Sequence, residues 1–211
     1  MKRSFQSRVS ECLVPTTVAT PARKNGPSPR ETELLEAAYQ YAVEQGLADL
    51  SLRPLAQAIG SSPRVLLYLF DSKDGLIRAL LARARIDELA MLDRLRNETK
   101  SPHLVTTGRH LWGWLSASDH RGLLALWVEA YARSLVDPHG PWAGFAERTV
   151  ADWLDLLSDA QPSRSRGTQA AVATRTAVLA VLRGAMLDLL ATGDLERTTG
   201  AVERQLATLT A

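Results

Sequence analysis

Apolar positions in this chain recur at three- and four-residue steps, and no segment alternates convincingly at a period of two, so the pattern predicts an all-α protein. The sharpest stretch is residues 51–73, SLRPLAQAIGSSPRVLLYLFDSK. Leu52, Leu55, Ala56 and Ile59 give a short helix one apolar face. Gly60-Ser61-Ser62 breaks it, and Leu66, Leu69 and Phe70 supply the inward face of a second helix over Pro63 to Phe70. Ser51 is the expected N-cap of the first helix, its hydroxyl accepting from a first-turn amide. Gly60 suits a turn that needs positive φ. Ser62 caps the second helix, and Pro63 falls in its first turn, where a missing N–H costs nothing. Two short helices joined by a Gly-containing turn is the layout of a helix-turn-helix. A plain helical hairpin shows the same pattern.

The chemistry of the outer face sharpens this. Arg64, Val65 and Tyr68 fall opposite the inward residues. Arg64 has the donors for a guanine edge or a phosphate, Val65 the methyls for thymine contact, and Tyr68 a hydroxyl for a phosphate oxygen. A third helix is expected from Lys73 to about Thr99, with Ser72 as its cap, and a helix N-terminus favours a phosphate. Ser51, Arg53, Ser62, Arg64, Val65, Tyr68 and Lys73 are the candidate DNA contacts.

Residues 33–76 closely resemble the N-terminal domain of the tetracycline-repressor (TetR) family. The residues that carry the resemblance are Ala37-Ala38 and Tyr41-Ala42 on a first helix, Gly46, and Leu50-Ser51-Leu52. Leu55-Ala56, Gly60, Phe70, Ser72-Lys73 and Leu76 complete the series. The chain departs from the family pattern twice. Leu67 stands where a Tyr is usual three residues before the Phe, with Tyr68 one step later, and Ser61 replaces an apolar turn residue. The resemblance implies backbone contact by Lys73, an all-α C-terminal domain for ligand binding and dimerisation, and a repressor of a near-palindromic operator released by a small molecule. The implied partners are double-stranded operator DNA, a second copy in a homodimer, and an unidentified small-molecule effector. The alternative is a helical small-molecule-binding or protein-interaction module without specific DNA binding.

The implied organisation is a basic arm over 1–28, a helix-turn-helix domain over 29–76 and a helical domain over 77–211. The arm holds Lys2, Arg3, Arg8, Arg23, Lys24 and Arg30 (just past its boundary) against Glu11 alone, and is rich in Ser, Thr and Pro, a composition that does not bury a core. Residues 31–76 run the other way, with seven acids against Arg53, Arg64 and Lys73. DNA affinity would therefore rest on a few placed contacts rather than on a net charge of +2 over 211 residues.

Helices are expected near 102–117, 119–136, 141–160, 167–192 and 197–209. Trp112, Trp127, Tyr131 and Phe145 are candidate walls of an apolar ligand cavity, with His110, Glu129 and Arg133 as polar anchors. The same aromatics would also serve as ordinary core. In the penultimate helix, Val178, Leu182, Met186 and Leu189 form a stripe. By resemblance Arg183, Met186, Leu189 and Leu190 lie near a dimer interface.

Other classes find little support. There is no Gly-rich phosphate loop, no Gly-x-Ser-x-Gly and no His-Glu-x-x-His, so no catalytic residue, cofactor or metal is expected. The four histidines, His103, His110, His120 and His139, have no metal-ligand spacing. The single Cys12 and the lack of an apolar leader in the first 25 residues point to a cytoplasmic protein. No run of about 18 consecutive apolar residues is present, so no membrane span is expected.

Overall fold

The computed structural model describes residues 26–47, 50–98 and 103–209, and the described residues hold nine α-helices and no strand, as the periodicity predicts. The helices are α1 (Pro29–Gln45), α2 (Leu52–Ala58), α3 (Pro63–Phe70), α4 (Lys73–Glu98), α5 (Leu104–Leu115), α6 (Arg121–Val136), α7 (Phe145–Asp159), α8 (Gln169–Thr192) and α9 (Leu195–Ala207). Residues 1–25 of the basic arm, with Arg23 and Lys24, lie outside the described residues.

Local chemistry sets the helix ends. Ser28 opens α1 with a full capping box, accepting from the Glu31 amide while Glu31 reaches back to the Ser28 N–H. Arg30 belongs to this first turn and pairs with Glu33 at 2.8 Å. Ser62 accepts from the Val65 amide, as expected, and Gly60 sits at φ 62°. Ser51 corrects its expectation: it occupies the N-cap position, but its hydroxyl accepts from no amide of α2. The third residue of that helix is Pro54, which has no N–H to offer. Helix α7 starts at Phe145 rather than 141, because Gly144 takes the left-handed conformation (φ 70°) just before it. Helix α9 begins at Leu195, two residues early, because Asp194 accepts from the Arg197 amide and caps it.

Helix α4 packs against α1 and α3 and also against α5 and α7, so it runs unbroken through the 76/77 boundary expected from the sequence. Arg83 of α4 lies 4.7 Å from the Tyr39 ring centroid, bonds Glu36 at 2.7 Å and pairs with Asp87. Tyr39, itself buried, donates to Asp87 at 2.8 Å. This polar clamp fastens α1 to α4. In the C-terminal half α8 packs on α9, α7, α5 and α6. Arg197 bonds both Asp188 oxygens at 2.7 Å across the α8–α9 turn.

The expectation that no helix could cross a membrane meets one exception: α8 is long and apolar enough by length and composition. Its Arg175, Arg183 and Asp188 break any 18-residue apolar run, which is why that count missed it. The same length and composition describe a central helix of a helical bundle, and α8 has four helical neighbours.

Candidate functional site

Helix α3 presents two faces of opposite character. Leu66, Leu69 and Phe70 are buried, while Arg64, Val65, Leu67 and Tyr68 are exposed, Tyr68 at 76 %. A buried inner face on an eight-residue helix fixes the direction of the outer one. Leu67 and Tyr68 both lie outside, so the one-step displacement of the Tyr leaves its hydroxyl on the open surface. Arg53 on α2 and Lys73 at the first residue of α4 are exposed as well.

The turn between α3 and α4 is tight. Asp71 has φ 64°, the one positive φ at a non-glycine among the described residues. Ser72 accepts from the Gly75 amide at 2.9 Å and caps α4. A Cβ on Gly75 would lie 1.9 Å from the Phe70 carbonyl oxygen, so only glycine lets α4 start this close to the end of α3. Lys73 is thereby held beside α3.

The second feature is a cavity of about 470 Å³ between α5, α6, α7 and α8, open to the surface along one side. Trp127, Tyr131 and Phe145 line it, as expected from the sequence. The four other candidates do not line it, Arg133 being exposed on α6. His110 is exposed on α5. Trp112 is buried between α5 and α9, where its indole N–H donates to Thr199 Oγ1 at 3.0 Å. Glu129 faces away from the cavity and accepts from the Leu47 amide at 2.8 Å. The remaining walls include Leu115, Val128, Leu135, Thr149 and Trp153. The steps 127–131–135 and 128–132 on α6 were a legible helical face, had they been followed from Trp127 outward.

Helix α8 carries all four expected interface residues. Arg183 and Met186 lie on the cavity wall, and Leu189 and Leu190 are half-buried against their own core. Among the residues it leaves exposed, Ala173, Ala177, Ala180, Gly184, Leu187 and Ala191 follow one another at steps of four and three along one stripe, with Val172 and Thr176 exposed beside it. Ala180, Gly184 and Leu187 belong both to this stripe and to the cavity wall.

Among the described residues no cluster of His, Cys, Asp or Glu could hold a metal ion. Glu88 is the most deeply buried charged group, 1 % exposed, and accepts from the Trp153 indole at 2.7 Å. Burial pushes its carboxyl above the ordinary range. Burial pulls the Arg183 guanidinium down in the same way.

Comparison with known proteins agrees with this geometry. Residues 34–80 match the bacterial regulatory proteins of the tetR family. The HTH-type transcriptional regulator Rv1816 of Mycobacterium tuberculosis is 27 % identical over 135 residues, 61 % of this chain and 56 % of that protein. The regulator Mb1846 of Mycobacterium bovis matches to the same extent, so the chain spans just over half the length of these curated relatives. A transcriptional regulator from Rhodococcus sp. Rha1 shares the fold with a TM-score of 0.67 and 22 % identity, over 84 % of this chain and 94 % of that one. The multidrug binding protein EbrR, solved with imidazole, matches with a TM-score of 0.61 and 25 % identity over 92 % and 97 %. Residues 34–80 are thus a match to the tetR family of bacterial regulatory proteins, and the helical fold around them is one shared with solved transcriptional regulators.

Proposed function

We propose that this chain is a sequence-specific DNA-binding transcription regulator, a homodimeric repressor released from its operator by a small molecule. The observation that carries the reading is the outer face of α3, with Arg64, Val65 and Tyr68 exposed and Lys73 held next to it by the Gly75 turn. Arg64 and Val65 are the base-reading residues, while Ser51, Arg53, Ser62, Tyr68 and Lys73 position the helix on the backbone. The acidic balance of residues 31–76 makes one copy a weak binder, so affinity calls for two copies on half-sites about 10 base pairs, or a multiple, apart. The curated relatives' names as HTH-type transcriptional regulators support this reading, which places the chain's action in the cytoplasm and asks no catalysis of it.

The exposed stripe of α8 supplies the dimer face, with Leu187, 48 % exposed, as its largest side chain. Small residues at steps of three and four let a second copy's helix approach closely. Because Ala180, Gly184 and Leu187 also wall the cavity, an occupant there would press on the interface. A tenfold difference in affinity for two dimer geometries supplies about 1.4 kcal/mol of coupling.

The test is selection of genomic fragments by the purified protein, repeated with Arg64→Ala. One enriched near-palindrome, weakened by about 1–3 kcal/mol in the variant, is the expected result. A folded dimer that enriches nothing would instead favour a ligand-binding or protein-interaction module.

A further inference from the structure

We infer that the cavity takes an amphipathic anion, an apolar or aromatic body bearing one carboxylate, with Arg183 as its anchor. The inference rests on the reading of the cavity as an effector site. Of the fourteen residues that line it, Arg183 alone carries a full charge, and none is a carboxylate. Trp127, Phe145, Trp153 and Leu115 make most of the remaining wall apolar, which suits a hydrophobic body. Arg183 lies with its guanidinium carbon 5.1 Å from the Tyr131 ring centroid, with Nη1 3.5 Å from the Tyr131 hydroxyl. Tyr131 thus orients the guanidinium and supplies no counter-charge. No ion pair to Arg183 is present among the described residues.

A guanidinium so placed is a desolvated charge without its natural partner, and a planar carboxylate fits its fork of donors. The Trp127 indole N–H and the Thr149 hydroxyl, both on lining residues, are buried donors with no partner among the described residues, and neither brings a negative charge to the wall. Glu88, which favours the charge on Arg183 electrostatically, bonds Trp153 and is not part of the lining. A cation in the cavity would meet Arg183 with no carboxylate on the wall to offset it.

The test uses calorimetric titration of the full-length protein with three probes of one chain length: decanoate, decan-1-ol and decylammonium. Decanoate is expected to bind about tenfold or more tightly than either of the others. Arg183→Met, which keeps most of the volume, should remove that preference while leaving decan-1-ol affinity near the wild-type value. Arg183→Lys, which keeps the charge, should retain part of it and guards against a variant that fails to fold. Equal binding of all three probes by the wild type would overturn the anion assignment while leaving the cavity an effector site. Tightest binding by decylammonium would overturn it in the same way. No binding by any probe would remove the effector reading and this inference together.

Discussion

Glu129 on α6 accepts a hydrogen bond from the backbone amide of Leu47, 2.8 Å away at the end of α1. The contact spans 82 residues of sequence and ties the cavity-bearing helix to the DNA-binding segment. Gly46, just before it, ends α1 at φ 81°, and Leu47 is buried, so its N–H has no access to bulk water. Trp127, Val128 and Tyr131 on the same helix wall the cavity. Through this bond a shift of α6 would bear directly on the turn that follows α1. Glu129→Ala strands a buried donor and should cost about 1–3 kcal/mol in chemical denaturation. Glu129→Gln keeps an acceptor oxygen and should recover most of that loss. Equal stability of the Ala variant and the wild type would show that the bond contributes nothing.

Ser61 lies in the turn between α2 and α3, where the family pattern has an apolar residue. Its hydroxyl is buried with no partner among the described residues. Ser61→Ala removes an unsatisfied polar group at almost constant shape, so it should stabilise the protein by about 1 kcal/mol. A lowered melting temperature would mean that the hydroxyl has a partner in solution.

The start of α4 is held to glycine by sterics rather than by φ. Gly75 faces the Phe70 carbonyl, and the atom a new methyl would strike is backbone, which cannot swing aside. Gly75→Ala should cost about 1–3 kcal/mol through forced displacement of α4. Operator affinity should fall as well, because Lys73 and α3 change their relative position. Wild-type melting and wild-type operator affinity in this variant would show that the turn opens freely.

Much of the DNA-binding segment was legible because its instructions are local. Ser62, Pro63, Gly60 and the inward Leu66, Leu69 and Phe70 act within a few residues of themselves, and each does in the fold what its type implies. The cap at Ser51 failed for an equally local reason, the missing N–H of Pro54. The cavity was half-legible: Trp127, Tyr131 and Phe145 sit on its wall, but aromatic content does not say which side of a helix faces which neighbour. Trp112 and Glu129 went to α9 and to Leu47 because helix docking, not spacing, chose their partners. Arg183 was read as an interface residue on the strength of its helix, and it also lines the cavity, at the edge of the exposed Ala180–Gly184–Leu187 stripe. Amphipathic pattern identifies a covered face, and only packing identifies what covers it.

Glu88 should give the protein a recognisable pH dependence. Its Oε1 accepts from the Trp153 indole N–H, while Oε2 is buried with no partner among the described residues. Burial raises its pKa, and Asp152 pushes the same way. The Trp153 bond and the charges of Arg85 and Arg183 pull against them without reversing the shift. A carboxyl with a raised folded-state pKa binds its proton more tightly folded than unfolded. Its favourable contribution is complete below the unfolded value of about 4.3, and is lost as pH rises through the folded value. Glu88→Gln keeps an acceptor for the indole and removes the ionisation. The variant should therefore gain stability over the wild type as pH rises from about 4 toward neutrality, with the gap smallest at the acid end. Melting curves of both proteins at closely spaced pH values test this directly. Parallel profiles would show that Glu88 titrates alike in the folded and unfolded chain, and a gap that widens toward acid would reverse the sign of its burial.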